Sequence, residues 1–122
     1  MSDISYGVQL TINKGFLDNR VQVNNVTATM SLEGMNSLTY TLTTNAVAVN
    51  TAGLSSVGMA FLRNLSTATA STAQIGIDQG GSFVGLASLR AGEPALFRLA
   101  TGTDYQLIGT AGTRLRVDIT EG

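Results

Sequence analysis

Apolar and polar residues alternate along most of this chain with a period of two. Val8, Leu10 and Ile12 are interleaved with Gln9, Thr11 and Asn13. The same rhythm returns at Val26, Ala28, Met30 and Leu32, and at Leu38, Tyr40 and Leu42. Successive side chains of a strand point to opposite faces, so these segments predict half-buried strands. Val47 and Val49 continue the pattern. The fuller apolar run 59–63 predicts a buried strand, and 74–78, with Ile75 and Ile77 on one face, predicts an edge strand. Further strands are predicted over 82–87, 94–100, 105–108 and 113–119. In the last of these, Leu115, Val117 and Ile119 face one way and Arg114, Arg116 and Asp118 the other.

Turn-forming residues punctuate these runs every eight to twelve positions: Asn13-Lys14-Gly15, Asn24-Asn25, Glu33-Gly34, Gln79-Gly80-Gly81, Gly92-Glu93-Pro94, Gly102 and Gly109 to Gly112. No window carries a sustained apolar stripe of helical period. The best helical candidate, 66–73, is Ser, Thr and Ala only and has no face to bury, so it reads as a loop. The stretch 45–57, poor in bulky side chains, reads as a link between two sheet systems. The expected fold is an all-β antiparallel two-sheet sandwich of jelly-roll type. It forms a single domain over 1–122, with 1–7 as an N-terminal arm over a neighbour.

Composition changes this picture mainly by exclusion. The 122 residues contain no Cys and no His, which removes thiol nucleophiles, disulfides, imidazole bases and Cys or His metal ligands. Charged residues are 12% of the chain, about half the ordinary share, and the net charge is −1. Nothing in that balance attracts nucleic acid, and no apolar run approaches the length of a membrane span. The opening residues have neither the basic stretch nor the apolar block of a secretory signal, which points to synthesis in a cytoplasm. Asn25-Val26-Thr27 and Asn64-Leu65-Ser66 fit the glycosylation acceptor pattern and are set aside on that ground. Polarity comes instead from sixteen Thr, ten Ser, eight Asn and five Gln. Hydrogen-bonded hydroxyl and amide groups are far less costly to bury than unpaired charge, so such a surface suits permanent contact.

The remaining acid-base groups lie in turns, at termini or on polar strand faces, and solvated carboxylates explain them better than catalysis does. Gly80-Gly81-Ser82-Phe83 opens a strand, and no Lys follows, so it reads as a hairpin turn rather than a phosphate loop. No active site, metal or cofactor is expected. Six arginines accompany the single Lys14, and arginine is the cation better suited to interfaces. Arg98, set among Leu96, Phe97 and Leu99, is the leading interface candidate, followed by Arg63, Arg90 and Tyr6. The seven aromatic residues are scattered, which gives no stacking platform and predicts that most of them are core.

From Gly58-Met59-Ala60-Phe61-Leu62-Arg63-Asn64-Leu65 onward, the order of pieces resembles small virion proteins of tailed bacteriophages. Next come Gln74-Ile75-Gly76-Ile77-Asp78, Gly81-Ser82-Phe83, Leu89 to Leu99 with its Arg-Ala-Gly-Glu-Pro turn, and Arg114-Leu115-Arg116-Val117. The likeness spans 58–119, about half the chain, and the amino-terminal half departs from it. It implies a capsid decoration or cement protein in the virion, made in the host bacterial cytoplasm and bound to the major capsid lattice as a homotrimer. Contact with that lattice is expected to depend little on salt. Two alternatives compete. One is a phage fibre or tail component that binds host-surface carbohydrate. The other is a small all-β enzyme that uses a carboxylate such as Asp78 or Glu93.

Overall fold

The computed structural model describes residues 3–122, which form two units, one up to Ser31 and one from Leu32 to Gly122. All regular structure among the described residues is antiparallel strand. None of it is a helix long and apolar enough to cross a membrane.

The first unit is a ribbon of β1 (Ile4–Lys14) and β2 (Leu17–Ala28). Lys14 pairs with Leu17 across a two-residue turn, and Gly15 takes φ 58°, a conformation glycine adopts without steric cost. Tyr6 lies opposite Val26, Val8 opposite Val23 and Leu10 opposite Val21, all on one face. The other face carries Gln9, Thr11, Arg20 and Gln22. Here Gln9 Nε2 donates to Thr11 Oγ1 (3.2 Å) and an Arg20 guanidinium N–H to Gln22 Oε1 (2.8 Å). Asn24 and Asn25, expected as a turn, instead form a bulge inside β2, with Asn25 at φ 56°. The extra residue shifts the alternation by one position, so that Val26 and Ala28 stay on the same face as Val21 and Val23.

The second unit is a sandwich of two four-stranded sheets. One has the order β3 (Met35–Leu42), β10 (Thr113–Glu121), β5 (Val57–Asn64), β8 (Pro94–Arg98). The other runs β4 (Val47–Ala48), β9 (Tyr105–Gly109), β6 (Thr72–Gln79), β7 (Ser82–Arg90). Eight strands that switch sheets in this sequence have jelly-roll topology. The 45–57 stretch crosses to β4 and returns to β5, as a link between sheets should. Residues 74–78 belong to β6, which is interior to its sheet rather than an edge.

The core is aliphatic. Leu42, Leu62, Leu107, Leu115 and Ile119 are almost wholly enclosed and pack with Ala60, Ala73, Ile75 and Val117. The aromatics expected there lie at its margins or outside. Tyr40, Phe97 and Tyr105 are half-buried against the cluster, Phe61 faces outward, and Phe16 is fully exposed at the ribbon's turn. Branched and small side chains fill the space between facing sheets, whereas Tyr40 and Tyr105 sit where their hydroxyls reach backbone. Their oxygens accept N–H bonds from Asn50 (2.9 Å) and Ala100 (2.8 Å).

Of the expected arm 1–7, Met1 and Ser2 lie outside the described residues, and Ile4 to Gly7 belong to β1, where Ile4, Ser5 and Tyr6 pair with β2. The sandwich itself occupies 32–122 rather than the whole chain. Residues 17–23 form strand where none was expected. Met30 and Leu32 lie beyond the end of β2.

Candidate interaction face

Strand register gathers arginines on the outer face of the β3-β10-β5-β8 sheet. Directly opposed residues point to the same side, and Arg63 of β5 is opposite Arg116 of β10. Arg114 lies two residues before Arg116 and so shares its face. Arg98 ends the edge strand β8 opposite Met59, which lies on the same side as Arg63. Four of the six arginines thus occupy one surface, and all four are exposed. Phe61 lies among them, between Asp118 and Leu96, and Ser37, Thr39 and Thr41 of β3 border the face opposite Asp118, Arg116 and Arg114.

The acid on this face is already occupied. Asp118 is buried, accepts the Ser37 hydroxyl at Oδ1 and the Arg116 Nε–H at Oδ2 (2.9 Å). Arg63, Arg98 and Arg114 are left without a carboxylate partner among the described residues. Opposing two cations across a strand pair is unfavourable for folding, by a few tenths of a kcal/mol. The Arg63–Arg116 pair therefore gains nothing for the sandwich itself. What the arrangement can do is present planar cationic donors, hydroxyls and one aromatic ring to an acidic or carbonyl-rich surface.

The other expected contact residues lie elsewhere. Arg90 ends β7 in the opposite sheet, across from Thr72, and its backbone N–H donates to Glu93 Oε1 (2.6 Å). Tyr6 belongs to the ribbon and is half-buried. Arg98 also borders an open apolar depression of about 320 Å³, lined by Ile75, Leu86, Ala87, Phe97 and Tyr105 among others. Arg114 and Arg116 were not singled out from the sequence as contact residues. The signal was present in their outward alternation, but the register against Arg63 was needed to show that the charges converge.

A second concavity, about 280 Å³, is polar. Thr51, Asp78, Thr103, Asp104, Tyr105 and Gln106 contribute to it. Among the described residues no three acidic groups lie close enough together to hold a metal ion.

Two polar side chains that look chemically interesting are structural. Asn64 is fully buried. Its Nδ2 donates to Leu89 O (3.2 Å), and its Oδ1 accepts from Ser66 N–H (3.0 Å). Its amide is committed inside the sandwich and out of reach of glycosylation. Glu121, expected to be solvated, is buried. Its Oε1 accepts the Ser55 N–H (3.0 Å) and its Oε2 the Ser55 hydroxyl (2.9 Å) and the Ser56 N–H (3.3 Å). The Ser55 backbone bond, more than the other two, holds the carboxyl below its usual pKa, against desolvation that pushes it up.

No family model and no curated protein matches this chain. Among solved structures it is similar to a chain described as "Bacillus endospore appendages form a novel family of disulfide-linked pili". The TM-score is 0.46 at 12% identity, over 100% of this chain and 95% of that one.

Proposed function

We propose that the chain is a non-enzymatic structural protein of a tailed-phage virion. In this reading it decorates the head as a homotrimer and stabilises the major capsid lattice, and the outer face of β3-β10-β5-β8 docks on that lattice. The observation that carries it is the convergence of Arg63, Arg98, Arg114 and Arg116 on one face whose single carboxylate is already paired. The sequence resemblance over 58–119 supports the same reading, because it includes three of the strands that build this face. A lattice clamp needs no chemistry, only many modest contacts multiplied by copy number.

Concentrating the arginines alters one expectation. A chain of net charge −1 suggests binding indifferent to salt, whereas docking through four exposed cations weakens as salt screens them. The test is co-sedimentation of the chain with expanded, DNA-free heads of the phage that encodes it, across a salt series. Saturable binding that weakens with salt, and falls roughly tenfold or more in Arg63→Ala/Arg116→Ala, supports the reading. Failure to bind heads, or binding to single-stranded DNA in their place, overturns it.

The polar concavity favours a second reading, a fibre or tail component that holds host carbohydrate. Asp78, Asp104 and Gln106 supply groups that hydrogen-bond sugar hydroxyls, and Tyr105 supplies a ring at the same place. A glycan array in which one sugar class binds reproducibly, and Asp104→Ala abolishes the signal, would favour this reading over head decoration.

A further inference from the structure

The ribbon carries a surface that its own pairing leaves unused. Tyr6, Val8 and Leu10 of β1 and Val26, Val23 and Val21 of β2 form a continuous apolar face, which the bulge at Asn24-Asn25 preserves and which Asn19 and Lys14 interrupt only toward the ribbon's turn. Val8, Leu10, Leu17, Val21 and Val23 are each 51–58% exposed, on the order of 450 Å² of apolar surface per copy. A two-stranded hairpin is marginal in water unless a third layer covers it. We propose that this face is where copies of the chain associate, ribbon against ribbon around a closed symmetry axis.

Three features select a second copy as the occupant. Apolar burial is non-directional, so this face can meet the same face of other copies around a shared axis without a matching set of polar partners. The unit 1–31 has two acids, Asp3 and Asp18, and two bases, Lys14 and Arg20. Its net charge is therefore zero, and like copies do not repel. Three such faces meeting on one axis remove on the order of 1,350 Å² of apolar side chain, shared over three contacts, before backbone and rim are added. The inference gives the homotrimer its contact surface and rests on that part of the proposed function. The docking face of the sandwich is separate, so the two readings can fail independently.

Analytical ultracentrifugation of the full chain tests it. The wild type is expected to be a closed oligomer at about 10 µM, and Leu10→Thr/Val21→Thr, which keeps strand propensity, is expected to raise the dissociation constant by roughly a hundredfold. Gln9→Ser/Gln22→Ser, on the polar face, is expected to leave it unchanged. The chain has no cysteine, so a thiol can be introduced without competition. A short bismaleimide should join copies carrying Val23→Cys and not copies carrying Gln22→Cys, an outcome that does not depend on the threonine variant folding. A monomeric wild type at about 100 µM, association untouched by Leu10→Thr/Val21→Thr, or equal cross-linking from both faces overturns the proposal.

Discussion

Asn64 shows how one residue fastens several elements. Its side chain joins the end of β5 to Leu89 and Ser66, while its backbone exchanges bonds with the β7–β8 turn. Asn64 N–H donates to Glu93 O (3.1 Å), and Asn64 O accepts from Gly92 N–H (2.9 Å). Asn64→Leu fits the apolar surroundings yet strands a carbonyl and an N–H, and thermal denaturation should show a loss of about 2–3 kcal/mol. Leu115→Ala, in the core, should cost about 2–5 kcal/mol by the same measurement. Glu121 makes stability depend on pH. Its carboxyl is depressed in the folded state, so its contribution is fully present above the unfolded value of 4.5 and is lost as pH falls through the lower folded value. Glu121→Gln should flatten the acid limb of a stability–pH profile below 4.5 relative to the wild type. An unchanged acid limb would refute that role. Nothing in the sequence marks Glu121 as buried. It is the penultimate residue, and its partners Ser55 and Ser56 come from a loop more than sixty positions away.

At the level of elements, alternation was legible wherever one face of a strand meets the core. Most strands of the sandwich follow from period-two runs, and β5 from a fuller apolar one. Reading failed where alternation was interrupted or unrewarded. The bulge in β2 puts Asn24 and Asn25 side by side, which resembles a turn, and both faces of 17–23 are largely exposed, so Asn19 costs nothing at an otherwise apolar position. Gly76 illustrates a different element-scale constraint. A Cβ there would collide with the Val84 carbonyl and with the ring of Phe83, which lies over the glycine. Gly76→Ala should therefore separate β6 from β7, lower the melting temperature by several degrees, and speed amide exchange in β7 more than in β5. Uniform exchange across both sheets would show that the contact is not local.

For the whole molecule, the low net charge that argues against attracting nucleic acid by net field conceals an uneven distribution of the arginines. Composition carries no information about register, and the basic face emerges only when β5, β8 and β10 are set side by side. Division of labour follows: a jelly roll that presents a cationic outer face, and a neutral ribbon that presents an apolar one. A density map of the decorated head, at a resolution that shows side chains, tests this most directly. The account predicts Arg63 and Arg116 against the shell and ribbons joined in threes by their apolar faces. A map with the β3-β10-β5-β8 face turned to solvent would contradict it.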